Sequence, residues 1–292
     1  MVNLWLLGIR NKFQLEKSLV KNLSQIYNMN TIIFIYKGER NMKKRNTKTL
    51  LTSVVLVLTL SVMALLTGCG GPSTLEEYIN DNNEAKQELE NEFGIQVLAI
   101  QADGAVESDV KKVIEQTVQA FGHIDVLINN AMASRSGKLL IEHSKEDFAL
   151  SVDTGLYATF FYMREAHPYL KESQGAIINF ASGAGFSGRI GQSSYAAAKE
   201  GIRGLSRVAA TEWGPDGINV NIVCPLAWTA QLEQFKSKFP EAYEKNVKTP
   251  PMGYFANPET EIGRVCVQLA SPDFKYMTGE TLTLQGGTGL RP

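Results

Sequence analysis

Residues 175–225 read GAIINFASGAGFSGRIGQSSYAAAKEGIRGLSRVAATEWGPDGINVNIVCP, and their pattern decides the fold. Gly175–Ala181 is an apolar run of strand length that ends at Ser182. Ser193–Trp213 places its apolar residues at helical spacing. Ile218–Val223 is a second apolar run, ending at Cys224 and Pro225. Short, mainly apolar strands alternating with helices predict a parallel sheet buried on both faces.

The same alternation continues on either side. Ile95–Ile100 and Ile124–Ile128 read as strands, with an amphipathic helix over Glu107–Phe121 between them that Gly122 ends. A long helix is predicted from about Lys145 to Leu170, another over Glu259–Ala270, and a last strand over Glu280–Leu284. Upstream, Ser73 or Thr74 can cap a helix running to about Phe93, with Gly94 after it. The fold class is α/β, a doubly wound parallel sheet, in which ligands sit beyond the carboxyl ends of the strands. Asn129-Asn130-Ala131, Ser182 and Cys224-Pro225 each follow a strand directly.

Composition narrows the function. The chain has 292 residues, 44% hydrophobic and 20% charged, which excludes a disordered or fibrous protein. A net charge of −1 argues against a wholesale nucleic-acid binder. Cys69, Cys224 and Cys266 form no Cys-x-x-Cys pair, and His123, His143 and His167 lie far apart, so neither a disulfide framework nor a histidine metal site is expected. Cys224 and Cys266, flanked by valine, read as packing residues, and His123 as a turn residue. Arg203 and Arg207 read as solvated or interfacial charges. Phe160, Phe161, Tyr162 and Met163 read as core or as a subunit interface.

The first 49 residues are chemically different. They hold ten Lys/Arg against two Glu, whereas the rest of the chain is acidic. Leu50–Thr67 is an uncharged stretch of 18 residues, preceded by the basic run Met42–Lys48 and followed by Gly68-Cys69-Gly70-Gly71. This layout resembles a bacterial lipoprotein signal, which implies an acyl chain on Cys69 and membrane association through residues 50–67 or Cys69. A single spanning helix and a buried core helix are the alternatives. Residues 1–41 read as a leader, with a possible strand, helix and strand over Asn3–Leu7, Lys12–Tyr27 and Thr31–Tyr36. The predicted organisation is thus a leader over 1–41, a signal- or anchor-like segment over 42–72, and a Rossmann-like domain over 73–292.

Tyr195 and Lys199 stand four residues apart at the start of a helix and share a face. An ammonium beside a phenol favours the phenolate, so Lys199 is expected to lower the Tyr195 pKa. A phenol poised this way can exchange a proton with a carbonyl or an alcohol. Ser182, thirteen residues earlier at a strand end, would face the same crevice.

Asn129-Asn130-Ala131, Ser182, Tyr195-x-x-x-Lys199, Pro225, Thr278-Gly279-Glu280 and Gly286-Gly287 occur in one order. In this the chain resembles the short-chain dehydrogenase/reductase family from about Gly94 to the C-terminus. The resemblance implies Tyr195 as general acid/base, Lys199 as the group that tunes it and binds a nicotinamide ribose, and Ser182 as the group that orients the substrate oxygen. It also implies Asp103 at the adenine, Asn129 and Ala131 along the cofactor and steadying the sheet, and Pro225 and Thr229 beside the nicotinamide amide. Gln231–Asn257 would form a lid. The implied cofactor is NAD or NADP, the implied substrate a small carbonyl or alcohol, and the implied assembly a homo-oligomer paired through the helices that contain Phe160 and Tyr195. An enzyme of this kind belongs in the cytoplasm, whereas a working signal over 42–71 would anchor it to a membrane.

Three departures from the family pattern stand out. Gly155 occupies the place of the family's helix asparagine, thirteen residues before Pro168. A bend in the helix there would let the Gly155 backbone carbonyl serve instead. Met132 and Leu226 replace glycines. The glycine-rich turn of a first βαβ unit, which cradles a pyrophosphate, is missing or replaced. The alternative readings are therefore a catalytically impaired dehydrogenase-like module and a membrane-anchored lipoprotein chimera.

Overall fold

The computed structural model describes residues 95–289, the strand at 32–36 and helical positions 83, 86, 87 and 89–91. The lipoprotein-like segment with Cys69, and the first strand and helix read within residues 1–41, lie outside the described residues. No helix among the described residues is long and apolar enough to cross a membrane.

The chain runs β1 (Ile32–Tyr36), β2 (Gln96–Ile100), α1 (Glu107–Phe121), β3 (Val126–Asn129), α2 (Lys145–Ser151), α3 (Ala158–Ser173) and β4 (Ala176–Phe180). It continues through α4 (Gly183–Ser187), α5 (Ser193–Trp213), β5 (Asn219–Pro225), α6 (Ala230–Lys238), α7 (Pro240–Asn246), α8 (Arg264–Leu269) and β6 (Thr281–Leu284). Strands β3, β4, β5 and β6 form a parallel sheet in that order. Every residue of β3 and β4 is buried.

Alternate side chains of these strands enter two cores. Leu127, Ile177 and Val220 face α1, α3 and α5, packing with Val113, Leu170 and Ala209. Ile128, Ile178 and Val223 face the opposite side, packing with Ile262, Cys266 and Leu269. Helices thus cover both faces, as the mainly apolar strands predict. Burying each Leu or Ile contributes about 1.5–3 kcal/mol. Cys224 and Cys266 are buried, in keeping with packing roles.

Four features depart from the sequence expectation. Strand β2 is not hydrogen-bonded to the parallel sheet. It pairs antiparallel with β1, Ile32 opposite Ile100 through Tyr36 opposite Gln96. A βαβ unit would make such a strand parallel. An unpaired strand edge, however, accepts an apolar strand in either direction. The long helix is also interrupted, by a wider π turn over Val152–Tyr157 between α2 and α3. Thr154 accounts for the break. Its hydroxyl bonds the Leu150 carbonyl at 2.6 Å and accepts the Ala133 N–H at 3.0 Å, drawing the helix toward the loop after β3. The helix expected over Glu259–Ala270 likewise opens with a π turn, Pro258–Gly263, before α8. Finally, Arg203 is not a solvated charge. It pairs with Glu200 one turn earlier and lies 3.8 Å from the centroid of the Phe186 ring, which shields the guanidinium.

A chain of buried amides and hydroxyls ties the sheet to α5. Asn129 Nδ2 donates to Asn179 Oδ1 at 2.8 Å, Asn179 Nδ2 to Ser206 Oγ at 2.8 Å, and Ser206 Oγ to the Ile202 carbonyl at 2.6 Å. Asn179 is fully buried, so removing it strands partners that water cannot reach. Asn179→Ala is expected to destabilise the full chain by about 2–3 kcal/mol, read as a lower midpoint in urea. An unchanged midpoint would show that the relay contributes nothing.

Candidate active site

The carboxyl ends of β3, β4 and β5 bring together the segments singled out in the sequence. Asn129-Asn130-Ala131 leaves β3, Ser182 follows β4, and Pro225 ends β5. Helix α5 runs beside these ends with Tyr195 and Lys199 in its first two turns. Its start is fixed to the end of α2 by a buried contact of 3.0 Å between the Ser194 and Ser151 hydroxyls.

Ser182 and Tyr195 meet. The Ser182 hydroxyl accepts the Ala184 N–H at 3.1 Å, which caps the short helix α4. That bond fixes the oxygen and leaves its proton free to turn. The Ser182 hydroxyl lies beside the Tyr195 phenol, where it favours the phenolate.

Lys199 sits below them, 3% exposed, its Nζ 5.8 Å from the centroid of the Tyr195 ring. Nζ donates to the Phe180 carbonyl, the last residue of β4, at 2.6 Å. An ammonium has three donors, so two remain for a further acceptor. Two donors side by side suit the vicinal hydroxyls of a ribose, and in this respect the residues fit a nucleotide. The turn that would hold a pyrophosphate has no counterpart among the described residues.

The electrostatics differ from the sequence expectation. Burial pushes the Tyr195 pKa above that of an ordinary phenol, and this outweighs the effect of Ser182. The nearby Cys224 thiol raises it further, and the Arg189 charge lowers it. Lys199 is not among the groups that lower it. Burial brings Lys199 itself down to about 8. Its ammonium is turned to the Phe180 carbonyl instead of the phenol, and a half-neutral lysine at pH 8 exerts a weaker field.

The remaining candidates are placed as follows. The Asn129 side chain turns into the sheet toward Asn179, so it steadies the sheet and is not directed at the crevice. Ala131 is 9% exposed at the end of β3. Thr229 caps α6, its hydroxyl accepting the Leu232 N–H at 3.2 Å. Pro225 closes β5, and the next amide, Leu226 N–H, donates to the Leu284 carbonyl at 2.8 Å. Asp103 lies beyond β2, where its carboxylate accepts the Ala105 N–H at 2.9 Å and shapes the turn into α1. No described contact brings Asp103 to Tyr195.

Two of the departures prove to be one. A Cβ placed on Gly155 would lie 2.9 Å from the Met132 sulfur and 3.1 Å from its Cγ. The Met132 side chain, 1% exposed, thus fills the space that a side chain at 155 would need. Gly155 lies within the π turn, and its carbonyl accepts the Ala158 N–H. Sequence reasoning missed this pairing and missed Arg189 as a neighbour of the site, while it placed Cys224 at the strand end but read it as a packing residue. Arg189 stands midway between Ser182 and Tyr195, which was the available signal.

Two measurements test this description. Gly155→Asn is expected to cost about 1–3 kcal/mol through overpacking, and Met132→Ala to relieve it, so that the pair costs less than the sum of the singles in urea unfolding. Strict additivity would separate the two positions. The second concerns pH. The folded Lys199 pKa of about 8 lies below its ordinary 10.5. Its contribution to stability is therefore fully present above about 10.5 and lost as pH falls through about 8. The stability of the wild type relative to Lys199→Met is expected to rise across that interval. A flat difference would mean that the ammonium is not buried.

Comparison with known proteins agrees with this fold. The family model described as enoyl-(acyl carrier protein) reductase matches residues 71–289. A 12alpha-hydroxysteroid dehydrogenase from Clostridium sp. (strain ATCC 29733 / VPI C48-50) is 64% identical over 213 residues, 72% of this chain and 82% of the relative. A 3-oxoacyl-[acyl-carrier-protein] reductase FabG from Staphylococcus aureus (strain Mu50 / ATCC 700699) is 36% identical over 195 residues, 66% of this chain and 78% of the relative. The solved structure of ElxO with NADP bound matches with a TM-score of 0.60 at 30% identity, covering 64% of this chain and 76% of that one. The chain, with its parallel sheet and its serine, tyrosine and lysine at the strand ends, belongs to the short-chain dehydrogenase/reductase family.

Proposed function

We propose that this protein is an NAD- or NADP-dependent oxidoreductase that interconverts a carbonyl and an alcohol on a hydroxysteroid. The observation that carries the reading is the gathering of Ser182 and the Tyr195 phenol above the buried Lys199 ammonium at the end of β4. Identity of 64% to a 12alpha-hydroxysteroid dehydrogenase supports a steroid as the substrate. The NADP bound in the ElxO structure supports a dinucleotide.

A nicotinamide dinucleotide, when bound, supplies or takes the hydride at the substrate carbon. Lys199 would hold its ribose with the two ammonium protons that Phe180 leaves free. Thr229, whose hydroxyl proton remains available once it caps α6, and Pro225 would flank its amide. The Ser182 hydroxyl, held by Ala184, would orient the substrate oxygen against the phenol. Tyr195 would give its proton to that oxygen as a carbonyl is reduced, and take one back as an alcohol is oxidised. A phenol kept neutral by burial is in the donor form at physiological pH. Domain 73–292 would carry this chemistry in the cytoplasm, where dinucleotides are plentiful. Tyr157 on the π turn and Val208 on α5, both exposed, would meet a second copy of the chain.

Tyr195→Phe keeps the ring and removes the proton. With a ketosteroid and either dinucleotide, it is expected to lower kcat by about 10²–10⁴-fold while the circular dichroism spectrum is unchanged. Turnover equal to the wild type would reject the assigned role. In the wild type, alcohol oxidation is expected to climb with pH through the alkaline range, because it needs the phenolate of a group whose pKa is raised. Oxidation that is already maximal at pH 7 would contradict this.

A further inference from the structure

Ser182 does not hold its position alone. It caps the five-residue helix α4, a piece of chain too short to stay wound without contacts elsewhere. The contact falls on Phe186, near the end of α4. Phe186 packs against Ala181, Ile222 and Cys224, at the ends of β4 and β5. The Arg203 guanidinium lies over the same ring, 3.8 Å from its centroid. Arg203 follows Lys199 by four residues on α5, so the helix that carries the phenol and the ammonium also carries this clamp.

The clamp is itself fixed. Glu200 pairs with Arg203 through Nη2, and the Arg203 side chain is only 12% exposed. A cation shielded from water gains more from an aromatic face than an exposed one does. The other Glu200 oxygen, Oε1, is buried against α4, where a Cβ on Gly185 would lie 2.1 Å from it. A side chain at 185 would push that carboxylate away, so Gly185 is what admits it. Ring, guanidinium, carboxylate and glycine form one contact between α4 and α5.

Resting on the functional reading above, we propose that Arg203 is a positioning residue for the reaction: it holds Phe186, keeps α4 wound, and so fixes the Ser182 hydroxyl that orients the substrate oxygen. Glu200 supports it by holding the guanidinium over the ring. The path from Phe186 to Ser182 is short. The Ser182 hydroxyl accepts the Ala184 N–H at 3.1 Å, and the Ala184 carbonyl accepts the N–H of Gly188, which ends the helix, and that of Arg189 at 3.3 Å. When the turn around Phe186 loosens, these bonds open together and the Ser182 oxygen loses its fixed direction. Ser182 also favours the Tyr195 phenolate, so the same loss carries the phenol further up in pH.

The test uses the full chain with a hydroxysteroid. Arg203→Met keeps an apolar stem on the ring and removes the charge. Hydrogen exchange in a peptide spanning residues 180–190, read by mass spectrometry, is expected to quicken about tenfold, with peptides of α1 exchanging as before. The kcat for alcohol oxidation is expected to fall by a similar factor with KM nearly unchanged, and the rise of oxidation with pH to move to higher pH. Arg203→Lys, which keeps a cation, is expected to restore part of each. In a Ser182→Ala background, Arg203→Met is expected to leave kcat almost where it was, because the group it positions is gone. A full loss in that background, or unchanged exchange in Arg203→Met, overturns the proposal. Should Arg203→Met fail to fold, Glu200→Gln tests the same clamp, with an expected effect of about threefold on exchange and on kcat, and no effect there overturns it as well. If the wild type turns over no hydroxysteroid, the functional reading fails, and hydrogen exchange still decides whether Arg203 holds the Ser182 cap.

Discussion

Lys199 carries its ammonium to a place 3% exposed, with one hydrogen bond, to the carbonyl that ends β4. Burying a cation is expensive, and the structure meets that cost by position. The acceptor belongs to the most central part of the parallel sheet, so lysine, strand end and helix cannot shift independently. Tyr195 lies one turn earlier on α5, beside Ser182 at the same strand end. The relay Asn129–Asn179–Ser206 fastens the other side of α5 to β3 and β4. Sheet, helix and proton-bearing phenol are thus one rigid unit, built on contacts that fail together.

Much of this was legible in the sequence, for physical reasons. Strands buried on both faces are mostly apolar, so β3, β4 and β5 were readable even though Asn129, Asn179, Asn219 and Asn221 are buried within them. Glycine is favoured where the backbone is left-handed, so Gly122 marked the end of α1. Tyr195 and Lys199 were readable because four-residue spacing fixes a shared face. What stayed hidden depends on contacts between distant segments. The antiparallel pairing of β1 with β2 is set by which edge is open, which no local pattern encodes. The π turn comes from the Thr154 hydroxyl reaching the Ala133 amide, 21 residues away. The direction of the Tyr195 shift could not be read either, because spacing shows that an ammonium is near but not where it points.

The Met132–Gly155 contact changes how the family departures are understood. Taken singly, each looks like damage to a site. Together they fit one space: the Met132 side chain on the facing loop occupies the volume that a side chain at 155 would need. The π turn at this point is held by the Thr154 hydroxyl, which bonds the Leu150 carbonyl and the Ala133 N–H. The interior beside position 155 is thus filled without a side chain on the helix.

The account depends most directly on the protonation state of one phenol. The protein labelled with ¹³Cζ-tyrosine, with Tyr195→Phe used to assign its resonance, can be titrated by NMR. The account predicts that Tyr195 remains protonated beyond pH 10, the ordinary value for a phenol, because burial outweighs the effect of Ser182. A resonance that titrates well below pH 10 would contradict it, and would mean that Lys199 governs the phenol after all.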